Sequence, residues 1–153
     1  MKIFKEIIFT QSECDNILRS DKKTNVIDEF LEYKERIENS VKKIRDNIFS
    51  PIHIFSWIMR YEKGEGGPWH IHQGIKEHSL SANIFLSGDP NVGIWIRDKN
   101  SGIETLHKNE IGQIIIMDCD VFHKPEINYS LSKRCVLGMT IHDADMDFNF
   151  ILD

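Results

Sequence analysis

From residue 52 onward the apolar residues come in short runs. These lie near 52–61, 69–73, 79–86, 92–97, 103–107, 113–118 and 133–142, and are rich in Ile, Val, Phe and Trp. Polar and glycine-bearing breaks separate them, among them KGEGG, SGDPN, DKNSG and KNEIG. Short apolar runs bounded by turn residues predict β-strands, and many such strands at regular spacing predict a sandwich or jelly-roll barrel. Residues 1–50 follow a different rule and read as an extended start followed by helices. TQSE at 10–13 is a capping box, in which Thr10 caps the first turn and Glu13 reaches back, and it predicts a short helix through Leu18. A longer helix is predicted from near Asn25, with Asp28 and Glu29 in its first turn, where acidic side chains suit the positive end of the helix dipole. Ile27, Phe30, Leu31, Ile37, Val41, Ile44 and Ile48 recur at steps of three, four and seven, which makes one apolar stripe. Ser50-Pro51 ends that helix. The stripe is expected to buttress the outside of the barrel.

Composition narrows the class. A chain of 153 residues is expected to form one domain, with 1–50 as helical support and 51–153 as the barrel core. Hydrophobic residues at 41% and charged residues at 28% place it among soluble globular proteins. A net charge of −5 with scattered lysines argues against nucleic acid as a partner, since phosphate neutralisation needs a basic patch. Cys14, Cys119 and Cys135 are odd in number and widely spaced, so a reducing cytoplasm is the expected location. The apolar start is broken by Lys5 and Glu6 and lacks a small-residue cleavage site, so no signal peptide is expected. No apolar run approaches the roughly 20 residues of a membrane helix. No motif names a sugar, peptide or lipid. A small-molecule substrate is the expected partner, and the sequence leaves the oligomeric state open.

The histidines supply the candidate chemistry. In a strand, residues i and i+2 point to the same face, so His70 and His72 can offer two imidazoles to one ion. Imidazole suits Fe, Zn, Cu and Ni. A third ligand is needed, and His123 is the best candidate, at the end of GQIIIMDCDVFHKP, a hydrophobic run that turns and stops at His-Lys-Pro. His53, His107 and His142 default to structural or surface roles. Arg134 stands at the head of the next apolar run, SKRCVLGMTIH. A guanidinium turned into a barrel needs a partner, for which a bidentate carboxylate is the natural choice.

These segments resemble the Fe(II)/2-oxoglutarate-dependent oxygenases, in particular the prolyl-4-hydroxylase and phytanoyl-CoA hydroxylase style of double-stranded β-helix. FTQSECDNIL resembles the family's opening helix, MRYEKGEGGPWHIHQ its Y-x-x-G…W-H-x-D strand, and LSANIFLS the strand after it. NEIGQIIIMDCDVFHKPEI resembles the segment of the distal histidine, and SKRCVLGMTIH the last core strand. The resemblance implies a mainly β fold with N-terminal α-helices. It implies that His70 and His123 ligate Fe(II), that Arg134 grips the far carboxylate of 2-oxoglutarate, that Tyr61 and Asn83 help to hold that cosubstrate, and that Trp69 lines the site. It also implies O2 as the oxidant and hydroxylation of a substrate carbon as the reaction.

One residue departs from the pattern. The family places a carboxylate where this chain has His72, so the triad is three histidines. A second resemblance, to the cupins, accounts for that histidine. GEGGPWHIHQGIKE fits the first cupin motif from Gly64 through His70 and His72 to Glu77, although Ile84 stands where the motif closes on glycine. Gly112 and His123 keep the spacing of the second motif, with Asp118 and Asp120 replacing its proline and glycine. That resemblance implies Glu77 as a fourth metal ligand, and a three-histidine dioxygenase or isomerase that does not use 2-oxoglutarate. A third reading is a non-catalytic barrel that binds a metal or a small ligand.

Overall fold

The computed structural model describes residues 3–45, 52–72 and 79–143. Eight strands are described: β1 (Phe4–Ile7), β2 (Ile52–Tyr61), β3 (Leu80–Ser87), β4 (Ile94–Arg97), β5 (Glu104–His107), β6 (Gln113–Asp118), β7 (His123–Pro125) and β8 (Arg134–Asp143). They form a five-stranded sheet in the order β1-β6-β3-β8-β2 and a three-stranded sheet in the order β5-β4-β7. Every pairing is antiparallel. The architecture is the mainly β jelly roll with N-terminal helices that the sequence predicts.

Alternation along the strands creates three layers. One face of the larger sheet presents Ile52 and Ile54 of β2, Leu80, Ala82, Ile84 and Leu86 of β3, and Leu137, Met139 and Ile141 of β8. These pack with Cys14, Ile17, Ile37 and Val41 of the helices into one buried core. The opposite face turns toward the smaller sheet, where Ile115 and Met117 meet Ile94, Ile96 and Val121. β3 is buried on both faces, as expected for a central strand read as a nearly continuous apolar run.

The first helix, α1 (Gln11–Leu18), starts as the capping box requires. The Glu13 N–H donates to Thr10 Oγ1 at 3.2 Å, and the Thr10 N–H donates to Glu13 Oε1 at 2.9 Å. The long second helix is not one helix. Val26–Glu29 form a 3-10 turn, and α2 spans Leu31–Ile44. Asn25 takes a left-handed conformation (φ 54°), its N–H donates to Ser56 O at 2.7 Å, and the Ile27 N–H donates to Ser56 Oγ at 2.9 Å. Tying the chain to β2 in this way buries Val26 and Ile27 completely. Each such burial is worth about 1.5–3 kcal/mol, more than the helical turn it replaces. Leu31 consequently leaves the stripe and is 75% exposed, while Ile37 and Val41 keep to it. Ile48 and the Ser50-Pro51 stop lie outside the described residues.

The run at 69–73 is not a described strand either. Its described residues, 69–72, make a single antiparallel bridge, His70 to His123. Its partner chain turns at Cys119 and Asp120, with the Val121 N–H closing on Asp118 O at 3.2 Å, so no continuous edge is offered to it. β7 is the short strand that results on the far side of that turn.

Candidate metal centre

The bridge places the histidines. The His70 N–H donates to His123 O at 3.0 Å, the His123 N–H donates back to His70 O at 3.1 Å, and the His72 N–H donates to Cys119 O at 3.0 Å. Two main-chain anchors one residue apart keep His70 and His72 on the same face without a full strand. Upstream, the Gly64 N–H donates to Asn128 O at 2.7 Å and the Asn128 N–H to Glu65 O at 2.8 Å, which fastens the glycine-rich turn to the segment after β7. The result gathers one ring nitrogen from each of His70, His72 and His123, all within 4.8 Å of one another. Ring centroids lie 4.2 Å apart for His70 and His123, 5.3 Å for His72 and His123, and 5.6 Å for His70 and His72.

Hydrogen bonds select the tautomers. His70 Nδ1 lies 2.9 Å from Pro68 O, and His123 Nδ1 lies 2.9 Å from Val121 O. A carbonyl oxygen only accepts, so Nδ1 carries the hydrogen in both rings and Nε2 keeps its lone pair. This backbone contact is the support that metal-ligating histidines commonly have. Burial pushes His123 down to about 4, with the Val121 carbonyl opposing and His70 and His72 adding to the fall. Burial, then His70, also lowers His72. These two rings are therefore neutral at pH 7, the state a metal ligand needs. The donor set fits a divalent transition metal; nitrogen donors of this kind suit Fe, Zn, Cu and Ni.

The triad opens on a cavity of about 40 Å³. Its far wall is the inner face of the larger sheet, arranged in rows by strand register. Tyr61 pairs with Arg134; Met59 pairs with Val136, which pairs with Phe85; Trp57 pairs with Gly138, which pairs with Asn83. Tyr61, Met59, Trp57, Asn83, Val136 and Arg134 all line the cavity, with Ile94 and Pro125 opposite. A Cβ at Gly138 would lie 2.9 Å from the Trp57 indole and from Met59 Cε, so the missing side chain is what lets that indole lie across the sheet. The Trp57 ring centroid is 6.2 Å from that of His72.

Arg134 is 3% exposed and points inward as expected. The structure supplies a main-chain oxygen as its partner: Nη1 donates to Val92 O, while Nε has no hydrogen-bond partner among the described residues. Its guanidinium carbon sits 5.3 Å from the centroid of the Phe85 ring. Burial pushes Arg134 down to about 10, with Tyr61 and Glu126 opposing, so it remains a cation at neutral pH. Its placement depends on Gly88 (φ +121°), where a Cβ would come within 2.9 Å of Arg134 Cα. The Tyr61 hydroxyl donates to Met59 Sδ at 3.3 Å, and burial raises its phenol, with Arg134 opposing.

Trp69 is not among the cavity-lining residues. With His70 and His72 turned inward, alternation turns Trp69 outward. Its ring lies against the Arg97 guanidinium at 4.4 Å and the Lys124 ammonium at 4.9 Å, both on the outer face of the smaller sheet. The tryptophan at the cavity is Trp57, which the sequence reading missed. The signal was present: Trp57, Met59 and Tyr61 alternate along one strand, so Tyr61 facing the site implies the other two. Glu77, the fourth ligand of the cupin reading, lies outside the described residues. Neither His53 nor His107 belongs to the triad. His142 is 3% exposed on the inner face of β8 and so is not a surface residue.

No protein-family model matches this chain, and no curated protein sequence matches it. Solved structures do. A Pseudomonas putida prolyl-4-hydroxylase is similar over 95% of this chain and 87% of its own, at 12% identity and TM-score 0.70. HygX from Streptomyces hygroscopicus with iron bound is similar over 94% of this chain and 82% of its own, at 10% identity and TM-score 0.67. The non-heme alpha-ketoglutarate-dependent carbocyclase SnoK from nogalamycin biosynthesis is similar over 94% and 80%, at 13% identity and TM-score 0.65. At these identities the likeness establishes a shared fold, that of the 2-oxoglutarate-Fe(II) oxygenases.

Proposed function

We propose that this chain is a mononuclear non-haem Fe(II) oxygenase that uses 2-oxoglutarate and O2 to hydroxylate a small substrate. One observation carries the reading. A buried guanidinium, paired with no carboxylate among the described residues, opens on the same cavity as three clustered imidazoles. His70, His72 and His123 would hold the metal. Arg134 would receive the far carboxylate of 2-oxoglutarate in charge-assisted hydrogen bonds, with Tyr61 beside it and Asn83 on the same wall. Bound iron supplies the activation of O2 and the oxidation of a substrate C–H bond.

The chain's own residues do the rest. Met59, Ile94 and Val136 make the cavity wall apolar, which strengthens electrostatic contacts inside it. Met59, unbranched and adaptable, is the wall element that can yield as a ligand enters. Three neutral imidazoles leave the charge of a divalent ion uncompensated. Together with Arg134 that charge favours a dianion, and 2-oxoglutarate carries two carboxylates. The same missing negative charge makes the bound ion harder to oxidise than one held by two histidines and a carboxylate.

The test is an anaerobic titration with Fe(II) and then 2-oxoglutarate, followed by absorption spectroscopy. The reading expects a metal-to-ligand charge-transfer band that disappears in Arg134→Ala while iron stays bound. Iron binding and O2 consumption without the band would select the cupin-like route instead. Unchanged metal content in both His70→Ala and His123→Ala would remove the metal site altogether.

A further inference from the structure

Four buried side-chain atoms lack a hydrogen-bond partner among the described residues: Arg134 Nε, Ser79 Oγ, and both ring nitrogens of His142. Arg134 lies at one end of the inner face and is accounted for above. The other three lie together at the opposite end. β8 alternates, so Arg134, Val136, Gly138, Thr140 and His142 share one face. His142 pairs across the sheet with His53, and Thr140 pairs with both Phe55 and Ser81. Leu80 pairs with Ile141, so carrying the register one residue further sets Ser79 beside His142. Ser79 is 1% exposed and His142 3%.

An unpartnered buried polar atom carries a desolvation cost, and a native structure that keeps three of them side by side calls for a partner that arrives from outside. We propose that His142, with Ser79 beside it, positions the substrate by binding one of its hydroxyl groups. This rests on the oxygenase reading only for the place of the reacting centre. A neutral imidazole offers one donor and one acceptor, and a serine hydroxyl offers the same. Their complement is a group that both donates and accepts, and a hydroxyl does so. The described residues facing His142 from β2, β3 and β8 are His53, Phe55, Ser81 and Thr140, with no carboxylate, ammonium or guanidinium among them, so an uncharged group is favoured. Phe55, whose ring centroid lies 5.2 Å from that of His142, is 40% exposed, so the outer edge of this end meets solvent while His142 and Ser79 stay enclosed, and Phe55 and Trp57 form an aromatic edge leading toward the triad. His142 lies four steps along β8 from Gly138, which is opposite Trp57, a span of roughly 13 Å at the usual strand rise. The substrate is therefore a hydroxylated molecule about that long, held at the far end from its reacting carbon.

The experiment uses the full chain, loaded with zinc and labelled with 15N, and follows the histidine ring nitrogens. The probes are D-glucose, myo-inositol and uridine, with D-glucuronate as the charged counterpart. The expected result is a saturable shift of the His142 ring with an uncharged probe, weaker with glucuronate and lost in Ser79→Ala, while probe binding read by calorimetry is partly kept in His142→Gln. Thermal unfolding of the probe-free protein gives an independent readout: His142→Phe leaves Tm unchanged or raised, because it removes orphaned polar atoms. The proposal is overturned if no uncharged probe moves the ring, if glucuronate moves it equally, or if His142→Phe and His142→Gln both lower Tm by several degrees. Loss of zinc specificity for the triad would sink the oxygenase reading alone, and the Tm comparison would still decide the role of His142.

Discussion

His72 is the residue on which the chemistry turns. Its N–H is anchored to Cys119 O, and its ring completes the triad. A carboxylate in its place would cancel one unit of the ion's charge and ease oxidation of the metal. His72→Asp should therefore raise 2-oxoglutarate turnover, by about tenfold or more if the ion's charge limits the reaction, as read by succinate release. A fall in turnover with iron still bound would mean that three histidines are the working set. His70, His72 and His123 were legible from spacing and from the resemblance. Trp69 adjoins the HxH pair in sequence, whereas Trp57 reaches the triad only through the pairing of β2 with β8. Direction, not proximity in sequence, decides which indole lies beside the triad, and direction follows from alternation.

Among the elements, α1 is the one most completely written in local sequence. Removing its cap with Thr10→Ala should cost about 1 kcal/mol and lower Tm by about 2–4 °C, measured by circular dichroism. Glu13 adds a pH-dependent part. The Arg36 side chain first, and the Thr10 N–H next, hold its carboxyl at about 2, and the ion pair with Arg36 is 2.7 Å long. A depressed carboxylate stabilises the fold above the ordinary carboxylate range and loses that contribution as pH falls toward 2. Glu13→Gln should flatten the stability profile between pH 4.5 and 2 and leave the neutral-pH slope unchanged. The second helical region shows the opposite case. Its periodicity was real in Ile37 and Val41, but Ser56 lies on a strand far away in sequence, and its two hydrogen bonds to Asn25 and Ile27 broke the helix where a local reading would have continued it.

At the scale of the whole molecule, the triad ties the HxH segment to β7 on the side of the smaller sheet, facing the inner wall of the larger one. A metal that binds only the folded chain stabilises it by mass action, about 2.7 kcal/mol at a hundred times Kd. Addition of Fe(II) or zinc should raise Tm, a chelator should reverse the rise, and His123→Ala should abolish it; calorimetry reads all three. By itself the sequence determined the class of fold, most of the barrel strands, the first cap and the three imidazoles, because alternation, helical periodicity and turn residues act over a few neighbours. The tertiary structure decided the rest: the split of the second helix, the outward turn of Trp69, the inward row of Trp57, Met59 and Tyr61, and the orphaned nitrogens of His142. Each depends on which distant strand lies alongside, and strand register is a property of the assembled sheets that no local stretch of the chain contains.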